Sequence, residues 1–482
     1  LTSINTGMAS IEEIRIALND FKKSKKWIIS YSEIYTQRTY YLASVADKIY
    51  LNPAGIMELR GLGNQLMFFK NMLEKLDVDV QIIRHGKFKS AVEPYMLEKM
   101  SDANREQMQK ILNTMWGSML NDVSGSRNIK VDKINALADK LEIQDAKDAL
   151  KHNFVDQLMY KDELLAELRK KLSIDKDADI NYVGLGKYSK SATKKSTSEN
   201  KIAIIYASGS IVSGKSTKDN MGSETISKAI RAARLDDNVK AIVLRVNSPG
   251  GSALASDIMW REMVLAKEAK PVVVSMGDVA ASGGYYIACA ADKIVASEKT
   301  ITGSIGVFGV IPNMQGFFNN KLGITFDGVK TNEHANIMSV FKPLTAEEKD
   351  IIQLGVEKIY DDFITKVAAG RGMTKNQIDS IGQGRVWVGL DALEIGLVDE
   401  IGGISRAIEI AQDLAKLENY ELENYPKRKN PVEEFIKELS GEIETKMIKN
   451  KLGENYKYYQ KMESITKQTG VVARMPFDMD IH

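Results

Sequence analysis

Apolar runs of strand length alternate with helical patterns through the second half of the chain. The runs "KIAIIYASGSIV", "KAIVLRVNS" and "PVVVSM" begin at Lys201, Lys240 and Pro271, and stretches with helical periodicity separate them. Continuous apolar runs of this length are typical of strands covered on both faces, as in parallel sheets. The pattern predicts an α/β fold in which parallel sheets are flanked by helices.

The same pattern occurs twice along the chain. "YYLASVADKIYLNPAGIMELRG" (Tyr40–Gly61) aligns without gaps with "YYIACAADKIVASEKTITGSIG" (Tyr285–Gly306), 245 positions later. Further on, "DALKHNFVD" from Asp148 matches "DALEIGLVD" from Asp391. Similarity at both ends of a domain-sized stretch predicts a tandem duplication.

The repeats suggest four segments. We expect a first repeat over 1–186, a Ser-, Thr- and Lys-rich linker over 187–200, a second repeat over 201–425 and a charged helical tail over 426–482. The position 245 residues before Lys201 falls outside the sequence, so the first repeat is expected to be truncated at its amino terminus.

Composition narrows the function classes. The 482 residues include 66 basic and 64 acidic side chains, so no overall positive field would attract nucleic acid. One cysteine, Cys289, excludes an intrachain disulfide and a cysteine-based zinc site, and the four histidines lack metal-ligand spacing. We therefore expect no metal, no cofactor and no nucleic-acid partner.

The stretch "DVAASGGYYIACAADKI" places Ser282 between small residues at a predicted strand-to-helix turn. A serine there lies at the positive end of the helix dipole, where free N–H groups can stabilise an oxyanion. "NSPGGS" (Asn247–Ser252) ends the preceding strand and can turn another N–H toward the same crevice. The alternative is a tight turn that uses small residues for packing. The two motifs together favour a nucleophile.

A base for Ser282 is harder to identify. No histidine lies between His152 and His334, so a Ser-His-Asp triad has no support in the sequence. A lysine would have to be neutral, and only burial depresses its pKa that far. The segment "QIIRHGKFKSAVEPYM" offers Lys87 and Lys89 on one face of a strand-like stretch, and either could point inward.

The motifs "RVNSPGG", "SMGDVAASGGYYIACAADKI", "TITGSIGV" and "GKFKSAVEPYM" resemble the signal peptide peptidase A (protease IV) family in its long two-repeat form, within the Clp protease/crotonase superfamily. The resemblance implies a Ser-Lys dyad of Ser282 and Lys89, rather than Lys87. It also implies an oxyanion hole at Gly251 and Gly283, and a role for Ser304 in holding the lysine. The fold class implied is a pair of Clp protease/crotonase-like repeats.

The same resemblance implies a serine endopeptidase that degrades cleaved signal peptides and other hydrophobic peptides at the membrane. It further implies an amino-terminal anchor upstream of this sequence and a bacterial inner (cytoplasmic) membrane location, with the catalytic part facing the periplasm or cell exterior. A ring-like homo-oligomer, expected to be a tetramer, is implied as well.

Comparison of the repeats predicts a composite site. The first-repeat counterpart of Ser282 is Gln37, and the second repeat has "DGVKTNE" where the first has "GKFKS". Each repeat keeps what the other lacks, so the site is expected between them. Two other functions are compatible with the sequence: a crotonase-type acyl-CoA hydratase or isomerase, and an inactive scaffold that binds hydrophobic peptides.

Overall fold

A computed structural model describes residues 4–192, 198–426 and 471–475. The helices of the first half are α1 (Met8–Lys22), α2 (Gln37–Ala43), α3 (Lys70–Lys75), α4 (Glu93–Met96), α5 (Asp102–Arg127), α6 (Val131–Asp139), α7 (Ala146–Lys151), α8 (Lys161–Leu172) and α9 (Leu185–Ala192). Its strands are β1 (Ile29–Tyr35), β2 (Lys48–Met57), β3 (Asp79–Arg84) and β4 (Gln157–Leu158).

The second half carries the larger share of strands. These are β5 (Lys201–Ser208), β6 (Ser210–Val212), β7 (Asn220–Gly222), β8 (Val239–Ser248), β9 (Gly250–Ser252), β10 (Val272–Ala281), β11 (Lys293–Ala296), β12 (Ile301–Gly303), β13 (Phe308–Asn313), β14 (Val386–Val388), β15 (Glu400–Ile401), β16 (Glu421–Tyr425) and β17 (Val471–Arg474). Its helices are α10 (Ser223–Leu235), α11 (Ala253–Ala269), α12 (Gly283–Ala288), α13 (Ala346–Arg371), α14 (Lys375–Ile381), α15 (Gly389–Glu394) and α16 (Ile404–Leu414).

Parallel strands dominate the main sheet of each half. In the first half, β1, β2 and β4 run parallel in that order. In the second, the order is β14-β12-β10-β8-β5-β16, with β11 paired to β10 and β15 paired to β11, and the β14–β12 pair is antiparallel. Helices α10, α11 and α12 cover one face of this sheet and α16 packs against the other. The predicted α/β fold with helix-flanked parallel sheets is confirmed.

Equivalent hydrogen bonds mark the duplication. Tyr40 in α2 donates its hydroxyl to Phe154 O over 2.7 Å, and Tyr285 in α12 donates to Leu397 O over 2.8 Å. All of these side chains are buried. A buried tyrosine hydroxyl needs a partner, and the two halves satisfy this need with the same loop after the same short helix.

Strands from the two halves meet in a third sheet. β3 of the first half pairs antiparallel with β13 of the second, from Asp79 opposite Asn313 to Arg84 opposite Phe308. An apolar cluster lies nearby, where Met108 and Ile111 of α5 pack with Ala281 and Val386. The halves are therefore joined by backbone pairing as well as by burial of apolar surface.

Two predicted segments are only partly described. The predicted linker overlaps α9 and the residues up to Asn200, apart from 193–197. The predicted helical tail lies outside the described residues except for Pro426 at its start and residues 471–475, which include β17. Within the described residues, no helix is long and apolar enough to cross a membrane.

Candidate active site

Ser282 occupies a sharp turn between β10 and α12. Its φ is 55° and its ψ is −115°, a conformation that side-chain-bearing residues rarely adopt. The Ser282 N–H donates to Gly303 O over 2.8 Å, which fixes the turn against the end of β12. The serine is fully buried at the N-terminus of α12. A strained, over-determined turn of this kind directs the hydroxyl at a defined point in the cleft.

Lys89 reaches Ser282 from the first half of the chain. Its Nζ lies 2.9 Å from Ser282 Oγ, 3.0 Å from Ser304 Oγ and 3.1 Å from Ser304 O. A neutral amine has two N–H donors and one lone pair. The three contacts match that set, since the two Ser304 oxygens can accept and the Ser282 hydroxyl can donate.

Burial makes the neutral form of Lys89 favourable. The side chain has no exposed surface, and desolvation holds its pKa well below the ordinary value for lysine. Lys87, two residues earlier, places its Nζ 5.6 Å from the centre of the Phe88 ring and has no contact with Ser282 among the described hydrogen bonds. The geometry brings Lys89 to the serine, and it does not bring Lys87 there.

A loop before β14 closes over the lysine. Phe88 N–H donates to Gln383 O over 2.9 Å, and Gly384 N–H donates to Ile305 O over 2.7 Å. Gly384 has a φ of +78°, and a Cβ there would stand 2.6 Å from Lys89 Cβ. The loop thus needs glycine for both its conformation and its close approach. Nothing in the sequence pattern singled out this loop as part of the site.

Ser304 is the second serine in contact with the lysine amine. Its φ is 50°, and its N–H donates to Arg385 O over 2.6 Å. The predicted lysine-holding residue therefore contacts Lys89 through both its hydroxyl and its carbonyl oxygen.

The glycines predicted to form an oxyanion hole lie beside the serine. A Cβ on Gly250 would stand 2.7 Å from Gly283 N, which places the glycine pair next to the first residue of α12. Gly251 has a φ of +158°, and a Cβ there would meet Ile211 O at 2.1 Å. Only glycine allows this close stacking of backbone on backbone. Backbone groups, rather than side chains, thus line this wall of the cleft.

Strand β17 occupies the groove between β9 and β13. Ala473 lies opposite Gly251, and Val472 lies between Ser252 on one side and Phe308 on the other. Ala473 O approaches to 3.1 Å from the position of a Cβ on Gly283. The groove that leads to Ser282 therefore accepts an extended backbone by strand addition. No pattern in the sequence predicted this pairing.

The counterpart position in the first half holds no nucleophile. Gln37 is buried, and its Nε2 donates to Gly61 O over 2.9 Å while its Oε1 accepts from Arg60 N and Gly61 N. In the second half, Ser282 Oγ lies 3.5 Å from Gly306 O, the counterpart of Gly61 O. The glutamine amide thus contacts the carbonyl equivalent to the one near the Ser282 hydroxyl in the other half.

Other reactive groups do not compete with this pair. Burial raises the pKa of the Cys289 thiol to about 12, so it is not a thiolate nucleophile at neutral pH. His85 stacks on Tyr360 at 3.9 Å between ring centres, away from the serine. Among the described residues, no group of His, Cys, Asp and Glu side chains is arranged to hold a metal ion.

Comparison with known families matches both halves of the chain. The family model described as "Peptidase family S49" matches residues 20–175 and 265–418. The model described as "Clp protease" matches residues 193–300, the stretch that contains Ser282. The two S49 segments correspond to the two repeats inferred from the sequence.

Similar proteins are named as proteases. "Protease 4" of Salmonella typhi is 40% identical over 90% of this chain and 71% of its own length. "Protease 4" of Haemophilus influenzae is 41% identical over 84% of this chain and 68% of its own length. "Serine protease SPPA, chloroplastic" of Arabidopsis thaliana is 35% identical over 86% of this chain and 62% of its own length.

Proposed function

The chain belongs to peptidase family S49 and is a serine protease of the signal peptide peptidase type, and from this premise we propose that Ser282 is its nucleophile and Lys89 its general base. The observation that carries the proposal is the 2.9 Å contact between a fully buried lysine amine and the hydroxyl of a strained serine. An adjacent base of depressed pKa is what activates a serine hydroxyl.

In the acylation step, neutral Lys89 accepts the proton of Ser282 as Oγ attacks the scissile carbonyl. The resulting ammonium keeps two hydrogen bonds to Ser304, through Oγ and O. The positive charge therefore forms beside acceptors that are already in position to stabilise it. Lys89 then donates its proton to the leaving amine. The same lysine activates water for deacylation of the Ser282 ester, which restores the neutral pair.

Backbone N–H groups of Gly251 and Gly283 are proposed to stabilise the oxyanion. Gly283 is the first residue of α12, where N–H groups lack helical partners and the helix dipole favours negative charge. Side chains are excluded at Gly250 and Gly251, where a Cβ would stand 2.2 Å from Ala473 O and 2.1 Å from Ile211 O. Removal of one oxyanion donor typically costs about 100- to 1,000-fold in kcat.

The proposed substrates are extended, apolar peptides, including cleaved signal peptides. Strand β17 supports this, because it lies in the groove as an added strand. Met475, which follows it, packs with Ala281, Ile301 and Met108 in a buried apolar cluster that includes the residue before the serine. An apolar side chain that a bound peptide placed against this cluster would lose water in the same way. No cofactor enters this chemistry.

We place the active protein at a bacterial cytoplasmic membrane, with its catalytic part facing the periplasm or cell exterior and an anchor upstream of Leu1. The support is the resemblance of the catalytic motifs together with the bacterial relatives. Cleaved signal peptides are released at that membrane, so a protease that degrades them would act there.

We further propose that the chain forms a homo-oligomer, expected to be a tetramer. Within one chain β3 pairs with β13, but their counterparts in the other half, residues 63–68 and 324–329, form no described strand. Apolar side chains are exposed on both segments, among them Met67, Phe326 and Val329. A second copy would supply the missing pair head to tail, and such pairing forms a ring when the rotation between copies closes.

The proposed dyad is tested with a fluorogenic apolar peptide. Ser282→Ala and Lys89→Ala should each reduce kcat at least about 1,000-fold. Lys87→Ala is the matched control, because it removes the neighbouring lysine and should retain wild-type turnover. Turnover that survives in Lys89→Ala, or labelling of Ser282→Ala by an acylating serine-hydrolase probe, would contradict the assignment.

The match to peptidase family S49 excludes the two alternative functions that the sequence left open. An acyl-CoA hydratase or isomerase shares the type of fold but needs no nucleophilic serine, and an inactive scaffold needs no lysine at 2.9 Å from one.

A further inference from the structure

Strand β10 loses part of its sheet pairing just before Ser282. Its register with β8 shifts between Met276 and Ala280, so the intervening residues are not held by a regular β8 ladder. Side chains take over: Val279 N–H donates to Asn247 Oδ1 over 3.0 Å, and Thr300 Oγ1 donates to Gly277 O over 2.8 Å. The position of this stretch, and of the serine that follows it, depends on such contacts.

Asp278 lies in the same interrupted stretch and is held by the first half of the chain. Its carboxylate accepts hydrogen bonds from Gly7 N at 3.1 Å, Ser10 N at 2.8 Å, Ser10 Oγ at 2.7 Å and Thr6 Oγ1 at 3.3 Å. Gly7 is the N-cap of α1, and no side chain of the first half caps that helix. Asp278 therefore caps α1 from the other half.

The chemistry of this contact favours a carboxylate. Free N–H groups and the helix dipole at an N-terminus stabilise negative charge, and hydrogen bonds to a charged acceptor are stronger than neutral ones. The contact also requires Gly7, since a Cβ there would stand 2.4 Å from Asp278 Cγ. The counterpart of α1 in the second half is α11, which begins 245 positions later, after the glycine pair of the catalytic cleft.

Two ion pairs fix α1 further along its length. Glu13 pairs with Arg245 of β8 at 2.6 Å, and Glu12 pairs with the fully buried Lys299. Both basic partners belong to the second half, as Asp278 does. One face of α1 thus contacts the half that carries Ser282.

We propose that Asp278 is a positioning residue that fixes the Ser282 strand against the half of the chain that supplies Lys89. The proposal rests on the dyad proposed above. Lys89 meets Ser282 only because the two halves are docked. Asp278 binds the N-terminus of α1, a helix of the first half, and lies four residues before the proposed nucleophile. A misplacement of about 1 Å at a catalytic pair can cost roughly 100-fold in rate.

The positioning role has a signature that a purely structural role would lack. The low pKa of Lys89 comes from burial, and looser docking would admit water and raise that pKa toward its ordinary value. The charged groups near its loop include Lys87, Arg84, which donates to Lys89 O at 3.5 Å from β3, and Arg385, whose guanidinium lies over the Phe88 ring. Among the described hydrogen bonds none of these three contacts Asp278, so a shifted pH midpoint in Asp278→Asn reports hydration of the Lys89 amine.

The test compares Asp278→Asn with Glu33→Gln in the full chain. Glu33 is the exposed first-half counterpart of Asp278, 245 positions earlier. Glu33→Gln therefore removes the same charge at a position that does not contact α1. We expect Asp278→Asn to lower kcat about 10- to 100-fold and to move the pH midpoint of kcat/KM upward. Glu33→Gln should match the wild type in both. Ser10→Ala, which removes one donor, should give a smaller change in the same direction and serves if Asp278→Asn fails to fold.

Three results would overturn the proposal: wild-type kcat in Asp278→Asn, a lower kcat with an unmoved midpoint, or equal effects in Glu33→Gln. Failure of the dyad itself looks different, because Ser282→Ala or Lys89→Ala would then remain active. The two ideas can therefore fail separately.

Discussion

At the scale of single residues, the proposed site depends on Lys89, whose pKa is lower than that of a lysine in water. Burial is the cause of the lowered pKa, and the described hydrogen bonds of the Lys89 amine go to uncharged oxygens of Ser282 and Ser304. A neutral base is gained as pH rises through its pKa.

The first prediction concerns pH. We expect kcat/KM to rise with pH through the depressed pKa of Lys89 and to level off well before the ordinary lysine value of about 10.4. Stopped assays on an apolar peptide from pH 5 to about 10 measure this. Lys87→Ala should give the same midpoint. A profile that is flat in this range, or one that falls as pH rises, would argue against lysine as the base.

The second prediction concerns stability. Burying Lys89 costs free energy below its unfolded pKa, because the unfolded chain holds a proton that the folded chain releases. Lys89→Met removes this cost and retains the volume, so we expect an inactive protein whose Tm at pH 7 is higher by about 2 to 4 °C. The gain should shrink as pH approaches about 10.4, where the unfolded lysine also becomes neutral. Thermal melts at pH 7 and pH 10 measure it, and an equal gain at both would contradict the cause given.

At the scale of elements, short irregular segments bring the catalytic groups together. The loop before β14 covers Lys89, and β17 fills the groove beside Gly250 and Gly251. Neither segment carries a sequence motif of its own.

The third prediction tests the covering loop. Gly384→Ala adds a Cβ 2.6 Å from Lys89 Cβ at a φ of +78°, so the loop or the lysine must move. We expect kcat to fall about 10- to 100-fold, with the pH midpoint shifted upward as water reaches the amine. Gly355→Ala is the control, because a Cβ there meets no neighbouring atoms and activity should be unchanged.

The fourth prediction tests strand β17. Val472 lies between Ser252 of β9 and Phe308 of β13, so its backbone lies inside the sheet, and Val472→Pro removes its N–H donor there. We expect the groove to open and KM for an added peptide to fall several-fold, with little change in kcat. Val472→Thr keeps the N–H and should behave as the wild type. An increased KM in Val472→Pro would show that β17 helps to bind substrate instead of filling its place.

At the scale of the whole molecule, the described part of the chain brings Ser282 and Lys89 together and leaves residues 63–68 and 324–329 outside any strand. With the proposed dyad, the first fact makes catalysis depend on the docking of the two halves. The second makes association with another copy the natural way to cover exposed apolar side chains near Phe326 and Met67.

The fifth prediction tests that association. Val329 is fully exposed within one chain, so Val329→Asp should leave the fold intact while placing a charge in the proposed contact. We expect association to weaken about 100-fold, equivalent to about 2.7 kcal/mol, and the mass measured by light scattering to fall toward that of one chain. Val183→Asp changes an exposed valine elsewhere and should not alter the mass. A wild type that is itself monomeric would refute the oligomer.

Local sequence carried much of the information about the fold and the family. The spacing of apolar runs predicted the parallel sheets, because buried strands need apolar residues on both faces. The 245-residue offset predicted the duplication, and the same tyrosine contacts recur in both halves. "AASGG" marked Ser282, because a sharp turn before a helix requires small neighbours.

Tertiary structure decided what the motifs alone left open. Residue patterns did not separate Lys87 from Lys89, since neighbouring lysines differ only in which one the other half buries. The covering loop at Gly384, the strand at Val472 and the contact of Asp278 with α1 were also absent from the sequence pattern. Each of these contacts joins residues far apart in the chain, and the local periodicity of a sequence does not indicate such contacts. The sequence by itself determined the strands, the repeat and the proposed nucleophile; the docking of the two halves decided which lysine is the proposed base, because burial depresses the pKa of a lysine.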